Sequence, residues 1–190
     1  SENNGGISAT SLYEPRAIAS DGTRLAVVDK GNNRVLIWNA IPSTGNVPAD
    51  VVIGQQTFSS GEKNSTGSLN NSLDTPTGLA LVEGKLFVSD YANSRVLIWN
   101  TIPSVNGAPA NLVLGQDNLT TQSLYNGAIS IKPRTIHYSH GKLFIVDLIS
   151  MSIKIWDSIP TSSNQPADRN FGIYSYPIHQ YENPPPLTKR

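Results

Sequence analysis

Cysteine is absent and methionine occurs once. Disulfides, thiolate nucleophiles and cysteine-based zinc or iron–sulfur sites are therefore excluded together, and the fold must stand on packing alone. Charge is scarce too. Charged residues make up 15% of the 190, and 14 Lys and Arg balance 14 Asp and Glu. Without a basic stripe to release counterions, nucleic acid is not an expected partner. No apolar run approaches the roughly 18 residues of a spanning helix, so membrane insertion is not expected either. The start Ser1-Glu2-Asn3-Asn4 is neither a signal peptide nor an initiator-Met start and reads as processed or excerpted. No segment has helical period.

What is abundant is short and polar. Asn, Ser and Thr account for 53 residues, joined by 15 Gly and 13 Pro. Such a composition suits short strands and many turns, and leans toward an extracellular or cell-surface setting. Hydrophobic residues, 38% of the chain, gather in sharp β-branched runs, which argues against disorder.

The sequence repeats itself three times. Arg34-Val35-Leu36-Ile37-Trp38-Asn39 returns as Arg95-Val96-Leu97-Ile98-Trp99-Asn100 at an offset of 61, and Ser152-Ile153-Lys154-Ile155-Trp156-Asp157 follows 57 further on. Pro15, Pro76 and Pro133 open the units, and Gly54, Gly115 and Gly172 close them, always 39 residues later. A fixed period means stacked units, with length variation confined to the connections. Each unit reads as four strands, in the first near Arg16–Ser20, Arg24–Asp29, Arg34–Asn39 and Asp50–Ile53, separated by turn signals such as Gly31-Asn32-Asn33. The middle strands are apolar at successive positions, so both faces of each sheet must be covered. Blades stacked around an axis meet that requirement.

From Pro76 to Trp99 the pattern Pro-x-Gly-Leu-Ala, then Leu-Phe-Val-Ser-Asp-x-x-Asn-x-Arg-Val-Leu-Ile-Trp, resembles the NHL-repeat β-propellers. The tail Pro-Ala-x-x-Val-x-Gly-Gln, at Pro48–Gln55 and Pro109–Gln116, is similar to their long-blade bacterial form. The resemblance implies an all-β, NHL-type propeller of four-stranded blades, with three blades in this chain forming an open or partial propeller. The expected division is an N-terminal arm 1–12, blades 13–55, 76–116 and 133–173, inter-blade loops 56–75 and 117–132, and a Pro-rich C-terminal arm 174–190. The loops are expected to lie on the surface, to tolerate shortening and to carry any binding specificity.

The marked residues read mainly as structure. Asp29 and Arg34 flank a tight turn that Asn32 or Asn33 shapes, and Asp90, Asn93 and Arg95 repeat the set, so a polar clasp is expected. Asp147 stands alone in the third unit, where Ser150 and Ser152 replace the Asn and Arg; that hairpin is expected to have lost its clasp. A ring of the three aspartates around a metal is the alternative. Trp38, Trp99 and Trp156 share one position inside an apolar run and read as blade core, with sugar stacking the alternative. His137 and His140 invite a metal reading that the register opposes, since a hairpin turn separates them. Asn-x-Ser/Thr glycosylation patterns occur at Asn64, Asn70 and Asn118, in number no more than chance provides.

No nucleophile elbow, zinc-binding His-Glu-x-x-His or phosphate loop is present in the sequence. The expectation is a non-enzymatic extracellular binding or assembly module without catalytic residue, metal or cofactor. Its partners would be further copies of itself or further blades, other proteins, or carbohydrate. Three blades do not close a ring, so a closed pair, a filament or a longer propeller is expected. The rival is a metal-dependent lyase or lactonase at a propeller axis, as some six-bladed relatives are.

Overall fold

Runs such as Val35–Trp38, apolar at every position, can be buried only in a sheet covered on both faces, and the chain builds three of them. The computed structural model of the chain describes residues 5–65, 69–121 and 131–172. In the first unit the strands are β1 (Pro15–Ser20), β2 (Leu25–Asp29), β3 (Arg34–Trp38) and β4 (Val51–Ile53). The second has β5 (Pro76–Val82), β6 (Lys85–Asp90), β7 (Arg95–Trp99) and β8 (Leu112–Leu114). The third has β9 (Pro133–Ser139), β10 (Lys142–Asp147), β11 (Ser152–Trp156) and β12 (Arg169–Phe171). Each unit is an antiparallel meander in which every strand pairs with its neighbour in sequence. The first strands β1, β5 and β9 lie beside one another, so the sheets stack as blades of an open, partial β-propeller.

Two apolar cores glue the stack. Val35, Ile37 and Ile53 of blade 1 meet Leu86, Leu97 and Trp99 of blade 2. Phe87, Ile98 and Leu114 on the opposite face of blade 2 meet Leu143, Ile145 and Trp156 of blade 3. A third, smaller cluster lies on the outer face of blade 1, where Leu36, Trp38 and Val52 are closed over by Val47, Ala49 and Phe58 of the chain's own loops. All three tryptophans are buried, and each indole N–H donates to a carbonyl nine residues on, at Val47, Ala108 and Gln165.

The connector between the third and fourth strands reaches back to the preceding blade. Gly107 N–H donates to Val52 C=O at 2.9 Å, and Asn164 N–H donates to Val113 C=O at 2.7 Å. The outer edges of blades 1 and 2, exposed strand edges in isolation, are thereby occupied.

From Ser8 on the N-terminal arm is hydrogen-bonded to blade 1, through Ser8 C=O, Ser11 C=O and Ala9 C=O. Contrary to expectation, the inter-blade loops are not spare surface. Ser72, Leu73 and Ile131 are fully buried, because these loops carry the side chains that fill the gap between blades near the closing glycine. The Pro-rich arm 174–190 lies outside the described residues, as do the middle of the second loop and residue 173.

Gly115 shows how tight that gap is. Its φ is +87°, and a Cβ there would collide with Ile131 Cγ1 and stand 3.1 Å from Ser94 O. Gly84, also at positive φ, has open space around it. Gly115→Ala should therefore cost strain plus overpacking, about 2–5 kcal/mol, and Gly84→Ala only the strain, about 1–2 kcal/mol. Chemical denaturation of the two variants checks the difference.

Candidate functional site

The recurrent polar residues assemble into a hub at the base of each blade. Asp29 Oδ2 accepts from Asn32 Nδ2 at 2.8 Å and from Arg34 Nε at 2.7 Å, and Asp29 Oδ1 accepts from Tyr13 N–H at 2.6 Å. The rest of the Arg34 fork leaves the blade. Its Nη2 donates to Ser8 O and Ser11 O, each at 2.9 Å, and its Nη1 donates to Phe58 O at 2.5 Å. Blade 2 repeats this: Arg95 reaches Asp90, Leu69 O, Ser72 O and Leu119 O, and Asn93 reaches Asp90. Both ion pairs are fully buried. Burial pushes the Asp90 carboxyl up, opposed by the Arg95 charge and by hydrogen bonds from Asp74 N–H, Asn93 and Arg95.

Blade 3 has not lost its hub, contrary to expectation. Asp147 accepts from Lys132 N–H, Ile149 N–H and the Ser150 hydroxyl, and Lys154 Nζ stands 3.6 Å away. Lys154 occupies the place of Leu36 and Leu97, two residues past the missing arginine and on the same strand face, so its ammonium reaches the same carboxylate. Sequence reading missed this lysine, whose only signal is a cation interrupting an apolar run. It also missed Gln55 and Gln116: both amides are buried and donate to turn carbonyls, Gln55 to Asn33 O and Glu62 O, Gln116 to Asn93 O and Ser94 O.

These hubs satisfy themselves and present no chemistry to solvent. The accessible chemistry lies where the first strands begin. In every blade the register shifts there, between Pro15 and Ala17, between Pro76 and Gly78, and opposite Asp147. Such a bulge re-aims a side chain. The residues at the shift, Arg16, Thr77 and Arg134, line one cavity of about 320 Å³ with Glu14, Pro15 and Lys30. Lys30 pairs with Glu14, and Lys132 and Arg134 stand over the Tyr91 ring, at 4.8 and 6.0 Å. In a chain of zero formal net charge, this mouth gathers three cations, Arg16, Lys30 and Arg134, around the one carboxylate of Glu14.

At the other end of the same strands, His137 is exposed, 6.2 Å from the Phe144 ring, while His140 sits in the turn, within hydrogen-bonding distance of the Ser139 hydroxyl. The structure does not bring the two together, and the three aspartates face their own hubs. Among the described residues no cluster of three metal-ligating side chains exists. The Asn64 amide exchanges hydrogen bonds with Asn93, and Asn70 is half-buried, so Asn118 is the exposed one of the three acceptor patterns. No helix among the described residues is long and apolar enough to cross a membrane.

No family model and no curated protein sequence matches the chain. Solved structures do. A protein from Bacteroides uniformis, assigned provisionally as a 6-phosphogluconolactonase, aligns over 87% of this chain and 44% of its own length, with TM-score 0.52 and 14% identity. Hydrazine synthase from Kuenenia stuttgartiensis aligns over 88% and 40%, with TM-score 0.51 and 12% identity. The WD40 β-propeller domain of Doa1 aligns over 80% and 42%, with TM-score 0.46 and 8% identity. At these identities the first two likenesses show the fold alone, and the chain spans less than half the length of each of the three.

The hub yields a direct test. Arg95→Ala strands Asp90 and three carbonyls inside the protein, and should cost about 3–5 kcal/mol. Arg95→Lys should recover only part of this, because one ammonium cannot fork to four acceptors. Urea titrations of both variants give the comparison; equal stability to the parent chain would contradict the structural role.

Proposed function

We propose that the chain is an NHL-type propeller module that serves as a non-enzymatic, extracellular binding platform, and that its ligand is an acidic, hydroxyl-rich carbohydrate. The bulged mouth carries this reading. Arg16 and Arg134 flank Thr77 on three equivalent strands, with Lys30 beside them and Tyr91 under Lys132. Guanidinium groups suit carboxylates through paired hydrogen bonds. The sequence pattern from Pro76 to Trp99 supports the NHL assignment, and the amide- and hydroxyl-rich, cysteine-free composition suits the extracellular setting.

The reading is tested with a uronate polymer and a neutral glucan in affinity electrophoresis. The uronate should retard the chain, the glucan should not, and added salt should weaken the effect. Arg16→Glu combined with Arg134→Glu should abolish retardation without lowering the melting temperature, since neither side chain belongs to an apolar core. A wild-type chain indifferent to both polymers overturns the reading.

A further inference from the structure

Equivalent residues of the three blades meet solvent very unequally. Leu79 in β5 is 5% exposed and Ile136 in β9 is 7% exposed, while Ile18 at the same place in β1 is 67% exposed. Leu73 is fully buried against Gly54, and its counterpart Leu12 is 39% exposed. At the other end of the stack Ile53 and Leu114 are fully buried, and their counterpart Phe171 is 72% exposed. Each buried member lies between two blades, and each exposed member faces away from the other blades of the chain.

The polar part of the interface is left over in the same way. The donors that clip one blade onto the previous one are the N–H groups of Gly107 and Asn164, held at φ of +60° and +54°. Their counterpart in blade 1 is Asn46, which already holds the same left-handed conformation at +60°. The acceptors are Val52 and Val113, and their counterpart in blade 3 is Asn170 of β12. Among the described residues neither the Asn46 N–H nor the Asn170 C=O has a partner. The Asn46 turn is thus already in the conformation from which Gly107 and Asn164 donate.

We infer that the two ends are the halves of one interface, and that a second copy of this chain fills it head to tail. The Asn46 N–H of one copy donates to the Asn170 C=O of the other, and Ile18 and Leu12 cover the face that bears Phe171. The same two surfaces already meet twice inside the chain, between blades 1 and 2 and between blades 2 and 3. Such a contact is heterologous. Two copies bring six blades, within the four to eight that close a ring, and a contact that misses closure adds copies into a filament.

Ile18→Glu disables one end and Phe171→Glu the other. Both side chains face solvent in the single chain, so each variant should keep the parent's circular dichroism and melting temperature. In sedimentation velocity at micromolar concentration the parent chain should associate, and each variant alone should be a monomer. An equimolar mixture of the two variants should form a dimer that grows no further, because one intact pair of ends remains. A monomeric parent chain, a variant that still associates alone, or a mixture that stays monomeric would overturn the proposal.

Discussion

The blades hang on a buried carboxylate, joined in the first two of them to a buried guanidinium. Taking both charges out of water is expensive, and a buried pair adds little net stability by itself. What Asp29 and Arg34 provide is placement. The carboxylate fixes the turn and the strand entry through Asn32 and Tyr13, and the guanidinium fastens the segment before the blade and the segment after it. A Leu or Met of similar volume would fill the space and leave those segments with no reason to lie where they do. The hub is thus the joint at which local hairpin geometry becomes inter-blade geometry.

That division explains what could be read in the sequence. The period, the four strands per unit and the Asp–Asn–Arg turn are written in side chains at constant spacing, and the strands begin and end within a residue of where the pattern puts them. The targets of the arginine fork are backbone carbonyls at Ser8, Ser11 and Phe58, which carry no side-chain signature. Hence the stretch before blade 1 reads as an arm and the loops read as spare. Lys154 escaped for another reason: it performs the arginine's electrostatic task from a neighbouring position, so matching the repeat residue by residue shows only a loss.

The bulged mouth was hidden by the same logic. Arg16, Thr77 and Arg134 occupy a variable place in the Pro-x-Gly pattern, and variability within a repeat reads as unimportance. Only the register shift shows that this variable place is where each inner strand turns its side chain toward the shared cavity. Constant positions hold the scaffold together, and the position free to vary is the one that the proposed function gives to a ligand.

The connector clip has a consequence for how the molecule comes apart. Each connector reaches one blade back and no further, so coupling runs only between neighbours, as in a one-dimensional lattice. Blade 2 is coupled on both sides, and blades 1 and 3 on one side each. Opening should therefore start at the ends, and first in blade 3, whose outer strand is exposed throughout and whose hub carries an ammonium in place of the fork. The amide protons of β6 and β7 would then be the last to exchange with solvent, and blade 2 would be the part of the fold that survives longest.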